Sequence, residues 1–87
     1  MKLFKFEKDG CVPCQRMQLY LDDHEVEVIK VNPFDNPEMA AKYDIASVPT
    51  LILFDEEGVE VGRSIGFVPV EIDYLASLMN KDGGANA

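Results

Sequence analysis

The feature that most constrains this chain is a pair of cysteines, Cys11 and Cys14, between a short apolar run and a segment with helical spacing. A strand before the pair and a helix after it would place Cys11 at the N-terminus of that helix. Unpaired backbone N–H groups and the positive end of the helix dipole stabilise a thiolate there. Pro13 fits the first turn, where its missing N–H removes no hydrogen bond. The pair therefore predicts a strand–turn–helix unit with a reactive thiol at the turn.

Three kinds of chemistry fit two thiols at this spacing. A structural disulfide is typical of small secreted proteins, but only one pair is present and residues 1–8 lack the apolar run of a signal peptide. A zinc site needs about four ligands. Since His24 is the only histidine, zinc would require carboxylates or a second chain. A redox dithiol is favoured by the strand–CxxC–helix context, and the other two interpretations stay open at this point.

Composition argues against several other classes of function. The chain has 87 residues, enough for one domain, with 16 acidic and 8 basic side chains and a net charge of −8. That charge disfavours nucleic acid or an anionic membrane as a partner, and no segment approaches the length that spans a bilayer. We expect a cytoplasmic monomer without a metal or a cofactor, in which the cysteine pair stays reduced unless it is cycling.

Apolar periodicity predicts alternating strands and helices along the chain. Strands are expected over residues 3–6, 26–31, 51–54 and 59–65, and helices over 13–23, 37–43 and from Pro69 onward. Asn36 is a good N-cap for the second helix, and Gly58 suits a hairpin between the last two strands. This order, β-α-β-α-β-β-α, predicts an α/β domain over residues 1–80, with a four-stranded mixed sheet and helices on both faces. Residues 81–87 are expected to form a mobile tail.

This order and its motifs resemble the thioredoxin-like superfamily, in the minimal form that lacks an extra N-terminal strand and helix. The resemblance covers about residues 2–80 and rests on the CVPC motif, on Val48-Pro49-Thr50 at the head of an apolar strand, and on Gly66 after the last strand. The segment 32–49 is closer to thioredoxins than to glutaredoxins. The resemblance therefore implies a thioredoxin-like fold, β-α-β-α-β-β-α.

The resemblance also implies roles for individual residues. Cys11 would be the exposed nucleophile and Cys14 the resolving thiol. Pro49 matches the cis-proline that packs against the disulfide in the family, while the backbone of Val48 would bind an extended substrate segment. Gly66 would line the same groove, and Val12 and Pro13 would add apolar surface beside the sulfur.

The chain departs from the family's pattern at two positions. Thioredoxins usually carry an aromatic residue immediately before the first cysteine, where this chain has Gly10. They also carry a buried acid in the first strand, where this chain has Lys5. We expect the Lys5 amine to be paired or to reach the end of the sheet. If it points toward the thiols, it would stabilise a thiolate by its charge. Lys30 matches a lysine that the family places near the buried acid, and here we expect it to be solvated.

The function that the resemblance implies is thiol–disulfide oxidoreduction, with reduction of protein disulfides by the Cys11–Cys14 dithiol. The implied partners are disulfide-containing proteins and a flavoenzyme of the thioredoxin reductase type. One alternative is a glutaredoxin-like protein or an electron donor dedicated to ribonucleotide reductase. Another is a docking module that keeps the fold without redox turnover. The few basic side chains argue against glutathione, whose two carboxylates favour basic partners.

Overall fold

The computed structural model describes the backbone of residues 1–84 and the side chains of residues 1–80. Its strands and helices follow the predicted order. They are Lys2–Phe6 (β1), Val12–Asp23 (α1), Ile29–Val31 (β2), Pro37–Lys42 (α2), Thr50–Phe54 (β3), Glu60–Ile65 (β4) and Pro69–Gly84 (α3). No helix within residues 1–84 is long and apolar enough to cross a membrane.

The strands form one mixed sheet of four strands in the order β2-β1-β3-β4. β1 pairs parallel with β2 and antiparallel with β3, and β3 pairs antiparallel with β4. The predicted α/β fold class and the mixed sheet are therefore confirmed. β2 lies at one edge of the sheet and β4 at the other.

Side chains alternate between the two faces of the sheet because successive residues of a strand point in opposite directions. The face covered by α1 and α3 carries the larger cluster of buried apolar residues: Leu3, Met17, Leu21, Leu51, Leu53, Ile72 and Leu75. The face covered by α2 carries the second cluster: Phe6, Val31, Ile52 and Phe54. Every residue of β3 is buried, in agreement with its uninterrupted apolar run.

The second strand is shorter than the sequence predicts. The alternation of Val26 and Val28 with acidic residues resembles a strand, but β2 begins only at Ile29. Glu25, two residues after the end of α1, has a φ of +55°. The N–H of Val26 donates to the carbonyl of Leu21. The chain is therefore still closing the end of α1 at these residues. Val26 and Val28 pack against the larger core cluster as loop residues.

Smaller differences concern the other helices. Asn36 occupies the N-cap position of α2, but its side chain makes no capping bond; instead its amide donates to the carbonyl of Asn32 at 3.1 Å. α3 continues through Gly84, so residues 81–84 of the expected tail are helical. No strong helix breaker occurs before the two glycines 83 and 84. Residues 85–87 of that predicted tail lie outside the described residues.

Candidate active site

The two cysteines lie in the first turn of α1, directly after the loop that leaves β1. Cys11 is the N-cap residue, with an extended backbone (φ −93°, ψ 106°), and its sulfur accepts the backbone N–H of Cys14 at 3.2 Å. The two sulfurs are bonded in a disulfide, with their Cα atoms 5.2 Å apart. A sulfur at this position meets the N–H groups and the positive end of the dipole of α1, which stabilise negative charge.

The turn before Cys11 explains the missing aromatic residue. Gly10 has a φ of +71°, a conformation that side chains of L residues rarely adopt. An aromatic side chain at this position would strain the backbone of this turn. The departure from the family's pattern is therefore a consequence of the conformation by which this chain enters α1.

Both cysteines are buried in the disulfide state. Cys11 is 6% exposed and Cys14 is 3% exposed, so the exposed Cys11 expected from the sequence has little accessible surface in this state. The apolar surface at the turn belongs to the neighbouring residues, since Val12 is 53% exposed and Pro13 is also exposed.

The Val48–Pro49 segment lies directly before β3 and contains a cis peptide bond. Pro49 is buried and Val48 is half-buried. Thr50 donates its hydroxyl to the carbonyl of Ser47 at 2.8 Å, and Gly66 donates its N–H to the carbonyl of Pro49 at 2.8 Å. Gly66 has a φ of +83°, which favours glycine at the end of β4. The first bond closes the turn before β3, and the second joins that turn to the loop after β4.

The sheet topology brings these segments to one end of the molecule. In the sheet register, Phe6 lies opposite Thr50, and Thr50 lies opposite Ile65. The loop from β1 to the cysteines, the segment before Thr50 and the loop after Ile65 therefore leave the sheet at the same end. All the predicted site residues thus lie at that end, in the first turn of α1 and in the segments before Thr50 and after Ile65.

A cleft of about 330 Å³ opens on the α2 side of this end. It shares Val48 with the candidate site and is otherwise mostly apolar, with Phe34, Pro37 and Ile45 on its walls and Lys8 at its margin. Phe34 is 74% exposed. The candidate site is therefore continuous with a larger apolar surface.

Lys5 lies beneath the cysteine turn, and its side chain is 1% exposed. Its ammonium nitrogen Nζ donates to the carbonyl of Cys14 at 2.9 Å and to Oε1 of Gln18 at 2.9 Å. It also forms an ion pair with Oε1 of Glu7 at 2.6 Å. The sequence left open whether this amine is paired or reaches the end of the sheet; the structure shows it paired. Glu7 could have been found, because it follows Lys5 by two residues on the same side of an extended chain.

Lys30, the other lysine noted in the sequence, is exposed on β2. It is the register partner of Lys5 in the parallel pair of β1 and β2, so it lies on the same face of the sheet as Lys5. Among the side chains of residues 1–80, no group of three or more histidine, cysteine or carboxylate side chains could hold a metal ion.

A sequence model of the thioredoxin family matches residues 1–81. The SPbeta prophage-derived thioredoxin-like protein YosR of Bacillus subtilis is 39% identical over 75 residues, which cover 86% of this chain and 94% of the relative. A thioredoxin of Staphylococcus epidermidis is 34% identical over 87 residues, which cover 93% of this chain and 81% of the relative.

Solved structures show the same fold. Thioredoxin from Trypanosoma brucei brucei superimposes with a TM-score of 0.78 at 21% identity, covering 92% of this chain and 74% of that chain. Thioredoxin 1 from Thermosipho africanus superimposes with a TM-score of 0.70 at 24% identity, covering the whole of both chains. With the extent of the family match and the cysteine pair at the start of α1, these findings show that the chain belongs to the thioredoxin family of thiol–disulfide oxidoreductases.

Proposed function

We propose that this chain is a small thioredoxin that reduces disulfides in other proteins, with Cys11 as the nucleophile and Cys14 as the resolving thiol. The observation that carries the proposal is the position of Cys11 at the N-cap of α1, where its sulfur accepts the N–H of Cys14 at 3.2 Å. Such a bond becomes stronger when its acceptor is ionised. Reduced Cys11 is therefore stabilised as the thiolate, which is the nucleophilic form.

The reaction proceeds by two successive exchanges of sulfur bonds. The thiolate of Cys11 attacks one sulfur of the partner's disulfide, forms a mixed disulfide and releases the other partner sulfur as a thiolate. Cys14 then loses its proton, attacks the sulfur of Cys11 and closes the Cys11–Cys14 disulfide. The second partner sulfur leaves as a thiolate. Two electrons have passed to the partner, and its two thiolates take up protons from the thiols and the solvent.

The substrate surface in this proposal consists of Val12, Pro13, Val48, Pro49 and Gly66. Val12 and Pro13 provide exposed apolar surface beside Cys11, and Val48 is half-buried at the start of β3. In this proposal an extended segment of the partner binds the backbone of Val48 as an added strand does. The bond from Gly66 to the carbonyl of Pro49 holds the two walls of this surface together.

The oxidised pair must be reduced again after each turnover, and a flavoenzyme of the thioredoxin reductase type is the proposed donor in the cytoplasm. A donor comparison distinguishes this from a glutathione-dependent protein. The oxidised chain is mixed either with thioredoxin reductase and NADPH or with glutathione, glutathione reductase and NADPH. Faster NADPH consumption in the first mixture supports the proposal, and faster consumption in the second supports the glutaredoxin-like alternative.

The central experiment is the reduction of insulin disulfides with dithiothreitol as the electron donor. The intact chain should accelerate insulin precipitation, and Cys11→Ser should fall to the background rate. The matched control is Ser77→Cys in the Cys11→Ser chain, which restores the number of thiols at an exposed position of α3 and should not restore activity. A folded, reduced intact chain without activity would refute the proposal and favour a docking role.

A further inference from the structure

Lys5 is the only Lys, Arg, Asp or Glu that is buried among residues 1–80. An ammonium group has three N–H donors and no acceptor. The three groups around Nζ are the Cys14 carbonyl, the Gln18 amide oxygen and the Glu7 carboxylate, all of which are acceptors. A neutral amine has only two N–H donors, so its lone pair would face one of these acceptors without a hydrogen bond. The site is therefore built for the charged form of Lys5.

The neighbours of Lys5 are themselves held in place. The amide nitrogen of Gln18 donates to Oδ1 of Asp22 at 2.8 Å, which fixes the amide so that its oxygen faces Lys5. Glu7 is about one-third exposed, so the solvent weakens the field of its carboxylate more than that of the buried ammonium. The cation is thus fixed in position, and only part of its charge is neutralised.

We propose that Lys5 is a positioning residue for Cys14, and that its buried ammonium stabilises the thiolate of the resolving cysteine once the disulfide is reduced. The ammonium is bonded to the carbonyl of Cys14 itself, and the side chain of Cys14 has almost no contact with solvent. A buried thiolate without a nearby cation is strongly disfavoured. In this chain the cation is supplied by β1, directly beneath α1.

This role concerns the second exchange of the proposed function, on which it rests. Cys14 must lose its proton before its sulfur attacks Cys11 in the mixed disulfide. Because all three N–H groups of Lys5 are donors, Lys5 takes up no proton. The proton leaves through solvent, and the departing partner thiolate gains one in the same way. Lys5 changes only the fraction of Cys14 that is ionised.

The other charged groups around this end of α1 are more exposed. Lys8 and Asp9 lie in the loop before Cys11, and Arg16 follows Cys14 in α1; all three are exposed. β3 presents the uncharged residues Thr50 and Leu51 to the interior. Lys5 is therefore the charge that the solvent screens least in the surroundings of Cys14.

The test is a thiolate titration of Cys14 by ultraviolet absorbance in the Cys11→Ser chain, where Cys14 is the only thiol. Adding Lys5→Met should raise the midpoint by about one pH unit, a tenfold loss of thiolate at pH values below it. Adding Glu7→Gln should lower the midpoint, because it removes the carboxylate that partly neutralises Lys5. A loosened structure would not shift the two midpoints in opposite directions.

Lys30→Met is the matched control, since it removes an exposed lysine from the neighbouring register position. It should leave the midpoint nearly unchanged. Equal midpoints for Lys5→Met and Lys30→Met would overturn the proposal, and so would shifts of the same sign for Lys5→Met and Glu7→Gln. If Lys5→Met does not fold, the midpoint of Glu7→Gln is compared with that of Glu27→Gln, which removes an exposed acid. A lower midpoint for Glu7→Gln supports the proposal, and equal midpoints overturn it.

The titration uses no substrate, so its outcome is separate from that of the insulin assay. A chain that fails to reduce insulin can still show the shift of Cys14, and the proposed function would then be wrong while the effect of Lys5 stands. An active chain without the shift would leave the function intact and remove Lys5 from the mechanism.

Discussion

A β-carbon on Gly62 would lie 3.0 Å from Cδ2 of Leu75, because α3 packs directly against β4 at this point. Leu75 belongs to the larger core cluster and is almost fully buried, so its side chain has little space in which to move. Gly62→Ala should therefore destabilise the protein by about 1 kcal/mol, since overpacking costs about 1–3 kcal/mol. Alanine also lowers the conformational entropy of the unfolded chain, which offsets about 0.4–1 kcal/mol of this destabilisation. Urea unfolding measures the difference.

A double-mutant cycle shows whether this contact is the cause. Leu75→Ala alone should cost about 2–5 kcal/mol. In that background, Gly62→Ala should no longer destabilise, because the atom it would meet has been removed. If Gly62→Ala lowers the free energy of unfolding equally in both backgrounds, the contact with Leu75 is not the cause.

The two cysteines should behave differently when each is replaced alone. Cys14→Ser should accumulate a mixed disulfide with a disulfide-containing substrate, because the attack by Cys11 occurs and its resolution does not. Cys11→Ser should accumulate little, because its remaining thiol is the more deeply buried one. Non-reducing electrophoresis and mass spectrometry of the adduct measure both. If Cys11→Ser accumulated more mixed disulfide than Cys14→Ser, Cys14 would be the nucleophile and Cys11 the resolving thiol.

Tyr20 should ionise at higher pH than an ordinary tyrosine. Its hydroxyl donates to Oδ1 of Asp73 at 2.7 Å, and this bond is the main reason why its pKa is raised, with burial and the charges of Asp73 and Asp23 adding to it. The bond contributes to stability below the usual tyrosine pKa of about 10. That contribution is lost as the pH rises through the raised pKa.

Asp73→Asn should therefore lower the pKa of Tyr20 toward the usual value. Phenolate absorbance is followed against pH for the intact chain and for Asp73→Asn, with Tyr20→Phe subtracted to isolate this residue. Glu38→Gln, which removes an acid from α2 on the opposite face, is the charge control. Identical curves for Asp73→Asn and the intact chain would contradict the assignment.

Glu60 and Arg63 form a bidentate pair on β4, with both nitrogen–oxygen distances at 2.7 Å. The hydrogen bonds from Arg63 are the main reason why the pKa of Glu60 is lowered. The pair therefore stabilises the fold above the usual glutamate pKa of about 4.3 and ceases to do so as the pH falls through the lowered value. Because the pair lies at the surface, its contribution should be only about 0.5 kcal/mol.

Arg63→Met should accordingly be less stable than the intact chain at pH 7, with the difference shrinking in acid. Thermal unfolding at pH 7 and near pH 3 measures this trend. Arg16→Met, which removes an exposed arginine outside this pair, is the control for net charge. A difference that stays constant between the two pH values would show that the lost side chain acts through packing.

Sequence reasoning predicted the parts of the fold that depend on local patterns. The apolar run of β3 predicted a strand covered on both faces. The spacing of Cys14, Met17, Tyr20 and Leu21 predicted a buried stripe on α1, in which Tyr20 is only half-buried. The length of β2 could not be predicted, because Val26 and Val28 alternate like strand residues. Their backbone is determined instead by the turn that closes α1 after Asp23, in which Glu25 has a φ of +55°.

The candidate site was predictable to a similar extent. Its segments follow from short motifs, each contained in a few consecutive residues, but the environment of Lys5 depends on contacts between residues that are distant in the sequence. Gln18 and the carbonyl of Cys14 reach Lys5 only after α1 has packed on β1. No local pattern contains that information, so these two partners of Lys5 could not be predicted from the sequence.

The hairpin after β3 lies at the opposite end of the sheet from the cysteines. Lys2 pairs with Phe54 next to this hairpin, whereas Phe6 pairs with Thr50 at the end that carries the candidate site. A fluorophore, an affinity handle or a surface linker attached at Glu56 would therefore project away from the cysteines. The protein can be immobilised through this hairpin with its redox end facing the solution, which suits an electrode or a resin for capturing disulfide partners.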